Sequence, residues 1–237
     1  RCDELRAAVM STHALDRFVL SFDVQSKACR ALGSAFHATL CERLRDELPQ
    51  ADALRDLAST YEGDPVSGFF AVRLLGGVHA MVLEGAAPAL ARHFPSSGGD
   101  GDANAAASLL FSFVTQERER LRPWLASFPQ TNEVKRSAGL LPGFLAIARA
   151  TQQPLRLLEI GSSAGLNQLW GSFHYAYENE AGDILATWGD ASSAVRLRAQ
   201  WRGTGVLSLD ARPVGASRAG CDIAPLSVAS AADRRRL

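Results

Sequence analysis

The chain has 237 residues, 47% of them hydrophobic, which is enough for one sizeable core or for a helical domain joined to part of an α/β domain. Its 25 basic and 25 acidic residues cancel, so no global field draws it onto nucleic acid or a membrane surface. The four cysteines (Cys2, Cys29, Cys41, Cys221) form no C-x-x-C pair, and the five histidines form no zinc-spaced cluster; no metal site is expected, and the thiols suit a reducing cytoplasm.

The first residues, Arg1-Cys2-Asp3-Glu4, are charged and are not a signal peptide; without an initiator Met they suggest a fragment. Residues 1–150 read as a helical N-terminal region. Phe18, Val19, Phe22, Ala28, Cys29, Leu32, Phe36 and Leu40 recur at helical spacing, and a second helix is predicted over Ala51 to Ser59. A third, Ser67 to Glu84, is apolar enough to sit centrally, yet Arg73, His79 and Glu84 break it well short of a membrane span. His79 there reads as a core histidine, with a pocket role as the alternative. The loop Pro95 to Asp102 is rich in breakers, helix resumes from Asn104 to Ser127, and Phe128-Pro129 ends it. "QTNEVKRSAGLLPGFLAIARAT" then starts another helix, with Thr131 or Asn132 as cap, Glu133 in its first turn, and a kink or interruption at Pro142.

The character changes at Gln152-Gln153-Pro154, and residues 151–237 read as a second, α/β region. Leu155 to Ile160 is predicted to be a buried strand, followed by a glycine turn and a helix over Leu166 to Phe173. From about 174 to 210 the sequence alternates and is rich in Trp, Tyr and Val, as in hairpins; Trp170, Trp188 and Trp201 read as packing residues. A possible strand before Gly220 and Asp222, a helix opened by Pro225 and a solvated Arg234-Arg235-Arg236 close the chain.

"LRLLEIGSSAGLN" fits two chemistries. Gly161-Ser162-Ser163-Ala164-Gly165 is a G-x-S-x-G elbow that would present Ser163 as a nucleophile. The base is hard to supply, because His174 is the only later histidine and no acid lies between it and Ser163. Alternatively, Glu159, Gly161 and Gly165 form the acid-plus-glycine turn of a nucleotide-type cofactor site, where backbone N–H groups would point freely at one ligand. Glu159 would repel phosphate and suits a ligand with an ammonium group, such as S-adenosylmethionine. Ser162 and Ser163 would touch the ligand or cap the helix, and Asn167 would orient the turn or touch the ligand carboxylate. Asp222, about 60 residues after Gly161 in place of the roughly 20 of a compact unit, would take the ribose hydroxyls or cap a helix.

"LLEIGSSAGLN" and "GCDIAPLSV" resemble motifs I and II of the class I S-adenosylmethionine-dependent methyltransferases. More narrowly, "VHAMVLEGAAPALARHFPS", "QTNEVKRSAGLLPG", "LRLLEIGSSAGLN" and "RAGCDIAPLSV", in that order, resemble a bacterial family catalogued as domain of unknown function 2332, from about residue 30 onward. The resemblance implies a Rossmann-like module with an insertion over about 174–210 and further strands past Leu237, so the module is expected to be incomplete here. It also raises a reading in which Gln130, Asn132 and Glu133 face the cofactor or acceptor pocket. The expected function is S-adenosylmethionine binding with methyl transfer to an unidentified acceptor. A non-catalytic binding or regulatory protein is the alternative, and a serine hydrolase the third.

Overall fold

The structure, a computed structural model, describes residues 12–130, 132–202, 205, 207–234 and 236–237. Arg1 to Glu4, Thr131 and Arg235, named above, lie outside the described residues. The fold is mixed α/β with two small sheets, and the chain divides into two compact units, Arg1–Pro129 and Gln130–Leu237. Among the described residues no helix is long and apolar enough to cross a membrane.

The first unit is helical: α1 (Thr12–Ala31), α2 (Ala35–Glu47), α3 (Asp52–Ser59), α4 (Phe70–Leu83), α5 (Pro88–Ala91), α6 (Ala103–Gln116) and α7 (Arg118–Ala126). The helical spacing of Phe18 and Phe22 puts both on one face of α1, where they meet Phe70 of α4 edge to face, with ring centroids 4.8 and 5.9 Å apart. Each such pair adds about 0.5–1.5 kcal/mol beyond the area it buries. As expected, α4 is central, with ten of its fourteen residues buried. Gly77 allows close approach there: a Cβ at that position would stand 2.8 Å from Trp124 Cγ.

The long helix predicted from Asn104 to Ser127 is two helices, broken at Glu117. The break lets Leu121 and Leu125 of α7 bury against the core that holds α4. Asp102 caps α6, accepting from Asn104 N–H and Ala105 N–H, both at 3.0 Å.

The second unit contains α8 (Arg136–Thr151), β1 (Leu155–Ile160), a 3₁₀ helix (Leu166–Ser172), β2 (His174–Glu178), β3 (Ile184–Trp188), β4 (Arg196–Gln200), β5 (Gly215–Cys221) and α9 (Ala231–Arg234). The interruption expected at Pro142 is absent: α8 continues through it. Proline there has no N–H to give the carbonyl of Ala138, four residues back. Tyr177 Oη fills that vacancy, donating to Ala138 O at 2.6 Å.

The segment from about 174 to 210 forms a sheet of its own, ordered β3-β2-β4. The expected hairpin is β2–β3, but β4 pairs parallel to β2 on its other edge. Tyr175 of β2 is fully buried, donates to Trp170 O at 2.8 Å, and its hydroxyl is pushed up to about 12 by burial. Trp170 and Trp188 stack at 5.7 Å in this core, as expected of packing residues.

β1 and β5 form the second sheet, a parallel pair with Leu157 opposite Arg218 and Glu159 opposite Gly220. One face of β1 is bare: Leu158 is 85% and Ile160 92% exposed. The buried strand expected at Leu155 to Ile160 is therefore half-buried at most, with alternate residues uncovered.

Candidate functional site

Parallel pairing brings the C-terminal ends of β1 and β5 together, the end at which open α/β sheets bind ligands. β1 delivers Glu159, then the chain turns through Gly161 to Gly165; β5 delivers Gly220, Cys221 and then Asp222. Three turn residues lie in the left-handed region: Gly161 and Gly165 at φ 71° and Ser163 at φ 49°. The glycines take that conformation without cost, whereas a serine there is held by its surroundings.

Ser163 is held by Asp222. The Asp222 carboxylate accepts from Ser163 N–H through Oδ2 and from Ala224 N–H through Oδ1, both at 2.8 Å. These bonds, that of Ala224 first, hold its carboxyl below the ordinary carboxylate range. The Cys221 carbonyl accepts from Gly161 N–H at 2.8 Å and Ser162 N–H at 3.1 Å. Gly165 N–H donates to Ser162 O at 2.6 Å, and the Asn132 side-chain amide lies against the same carbonyl at 3.4 Å.

Two expectations are corrected by this network. The N–H groups of Gly161, Ser162, Ser163 and Gly165 do not converge freely on a ligand; they are committed within the protein, as buried backbone donors must be. Asp222 caps no helix, because Pro225 opens none: residues 225–227 are irregular, and α9 begins only at Ala231. Asp222 instead ties the end of β5 to the turn after β1. The helix expected from Leu166 is a 3₁₀ helix without a side-chain cap, so Ser162 and Ser163 do not cap it.

Three polar atoms around this turn are sequestered yet have no hydrogen-bond partner: Glu159 Oε2, Ser163 Oγ and Asn167 Oδ1. Ser162 and Ser163 are each only 7% exposed. An unsatisfied buried polar atom is costly, and three beside one turn mark it as more than a connection. Where a Cβ would project from Gly161 there is no other atom within 4 Å, so the turn has open space on that side.

Of the other expected pocket residues, Gln130 donates through Nε2 to Ala224 O at 3.3 Å, and the Asn132 and Asn167 amides lie 3.5 Å apart. Glu133 is exposed and contributes only its carbonyl, which accepts from Arg136 N–H at 3.1 Å. His79 belongs to the first unit, where Nε2 lies 2.6 Å from Ser96 Oγ, the ring stacks on Phe94, and burial lowers its pKa. The helix cap expected of Asn132 is likewise replaced: its side chain serves the turn after β1.

Two participants were missed from sequence. Gly220 is required because a Cβ there would meet Ser162 Oγ at 2.6 Å and Ser162 Cβ at 2.7 Å. The Cys221 carbonyl anchors two turn N–H groups. Only a glycine directly before Cys221-Asp222 hinted at either. A cleft of about 430 Å³ at the opposite end of the β1–β5 pair is lined by Arg149, Pro154, Asp210 and Val214. Its Arg149 is already paired with Asp210. Among the described residues no group of three His, Cys, Asp or Glu could hold a metal ion, and Cys29, Cys41 and Cys221 are free.

No curated protein and no solved structure matches this chain. A family model does, over residues 20–237, and it takes in most of the first unit's core, the turn after β1 and Asp222 alike. The chain therefore belongs to DUF2332, a family of uncharacterised proteins conserved in bacteria.

Proposed function

We propose that the C-terminal ends of β1 and β5 bind S-adenosylmethionine, that the second unit is a Rossmann-like, methyltransferase-like module acting in the bacterial cytoplasm, and that the acceptor is a molecule still to be identified. The observation that carries this reading is the Glu159 carboxylate oxygen Oε2, sequestered and without a hydrogen-bond partner, on the strand end two residues before Gly161, where a Cβ would meet open space. A carboxylate oxygen in that position calls for a cationic donor, and the ammonium of the methionine part is one.

The other residues fit around it. Asp222 uses one acceptor site on each oxygen for Ser163 and Ala224; a carboxylate has about four, so two remain for ribose hydroxyls. Asn167 Oδ1 and Ser163 Oγ, both without partners, would meet polar groups of the ligand. Gly161 lets the ligand lie against the backbone. When bound, the cofactor supplies an electrophilic methyl group on a sulfonium. The chain's part is to hold that methyl in line with a nucleophile and to exclude water, which is positioning.

One observation favours a non-catalytic binding protein instead: the N–H groups of Gly161, Ser162, Ser163 and Gly165 are already committed, so the turn serves architecture as it stands. The two readings share the site and part at turnover. A hydrolase reading needs a base on Ser163 Oγ, which has no hydrogen-bond partner. Glu159→Gln separates a ligand-binding acid from a structural one. It is expected to weaken S-adenosylmethionine about tenfold or more while leaving adenosine affinity unchanged, since only the former carries the ammonium. Equal affinities in wild type and variant would remove Glu159 from the site. Labelling of Ser163 by a fluorophosphonate would favour the hydrolase.

A further inference from the structure

The helical unit contains a second feature, independent of the reading at β1 and β5. A cleft of about 680 Å³ opens among Tyr61, Glu62, Arg73, Arg122, Leu125 and Phe128. Arg73 projects from α4, whose side chains are otherwise apolar apart from His79, and is only 8% exposed. Its Nη1 donates to Leu125 O at 2.7 Å, but its Nε is sequestered and donates to nothing. Among the described residues no carboxylate pairs with it. The nearby acids are otherwise engaged: Asp56 at 2.7 Å and Glu119 at 3.0 Å hold Arg122, and Asp64 holds Arg17. Glu62 is exposed and has no pairing with Arg73.

A buried cation without a counter-ion is expensive. The guanidinium does lie over two rings, 4.3 Å from Phe128 and 5.5 Å from Tyr61. Those faces offset part of the cost but supply no negative charge. The Leu125 carbonyl uses one of five donors. Tyr61 is fixed as a wall by donating from Oη to Gly68 O at 2.9 Å, whereas the Phe128 side is open, at 58% exposure.

We infer that this cleft binds a small organic oxyanion, a carboxylate or phosphate carried on an aromatic or apolar body, with Arg73 pairing to the oxygens and Phe128 packing on the body. The planar guanidinium fork matches either oxyanion in two-point fashion. Of the described lining charges, Arg122 is already paired with Asp56 and Glu119 and Glu62 is negative, which leaves Arg73 as the one unpaired cation and suits a compact anion of low charge.

The test is titration of the whole chain with benzoate, phenyl phosphate, inorganic phosphate and uncharged benzyl alcohol, read by calorimetry and by Tm. At least one aryl anion is expected to saturate near or below about 1 mM and to raise Tm, whereas benzyl alcohol does neither. The aryl anion that binds tells carboxylate from phosphate. Arg73→Met should weaken it at least about tenfold, with Arg73→Lys intermediate. Phe128→Ala should weaken aryl anions about threefold or more and leave inorganic phosphate unchanged. No saturable anion binding up to about 20 mM, or binding undiminished in Arg73→Met, would overturn the inference. If Arg73→Met does not fold, Phe128→Ala decides: an unchanged preference for aryl over inorganic anions overturns it equally.

Discussion

The α1–α4 contact and the β1–β5 pair treat their apolar residues in opposite ways. Phe18, Phe22 and Phe70 are 6%, 0% and 0% exposed, whereas Leu158 and Ile160 are 85% and 92% exposed. The helical residues repeat at a period that puts them on one face, and other helices of the same unit cover that face. The strand residues also alternate, but among the described residues no element of the unit covers this side of β1. Parallel sheets usually have both faces covered. The first region is built for stability; among its described residues, Arg73 Nε is the buried side-chain polar atom left without a partner. The second keeps its unsatisfied atoms, Glu159 Oε2, Ser163 Oγ and Asn167 Oδ1, at one end of an open pair. Such departures from good packing and satisfied polarity are where function is to be sought.

The comparison can be broken by mutation. The largest effect is expected from Phe70→Ala, which removes a fully buried ring from three aromatic contacts. It should cost about 3–5 kcal/mol in urea unfolding followed by helical circular dichroism. A loss below about 1 kcal/mol would mean that the helical core is not packed as described.

Tyr177→Phe comes next. It strands the carbonyl that Pro142 leaves open in α8, at about 1–3 kcal/mol. Stability equal to wild type would mean that another donor reaches Ala138 O.

Asp222→Asn gives a pH signature. The folded carboxyl lies below its ordinary value of 3.8, so the native state favours the ionised form. That contribution is fully present above the ordinary range and is lost as pH falls through the depressed value. The stability gap between wild type and variant should therefore be widest near neutrality and close in acid. A gap constant down to pH 3 would detach Asp222's charge from the turn.

The smallest effect is expected at the bare face. Leu158→Ser and Ile160→Thr should each change stability by less than about 0.5 kcal/mol, since neither residue is covered. A large loss from either would show that the face is buried in solution.

Local pattern made much of this legible. Period and burial agreed for α2, α3 and α4; "LRLLEI" gave β1; and Trp170 and Trp188 were correctly placed in a core. What depends on distant partners was not legible. The commitment of the turn N–H groups needs Cys221 and Asp222, both remote in sequence. β5, Gly-Ala-Ser-Arg-Ala-Gly-Cys, has none of the β-branched residues that announce a strand and is a strand because β1 pairs with it. The 3₁₀ helix after the turn lies between a left-handed Gly165 and Gly171 near its end, while Trp170 is drawn into the core, and none of these tertiary ties is visible in the local pattern. The parallel pairing of β4 is likewise a property of the whole sheet. Glu159, Gly161 and Asp222 were legible as a constellation because each ends or follows a strand. That Asp222 clamps the turn was not.

The most direct test of the central claim is calorimetric titration of S-adenosylmethionine and S-adenosylhomocysteine into the folded wild-type chain and Gly161→Val. Saturable, micromolar binding to wild type that is lost in Gly161→Val, whose circular dichroism stays native, is the predicted result. No binding to wild type, or equal binding to both, would contradict the account and leave the turn after β1 as architecture alone.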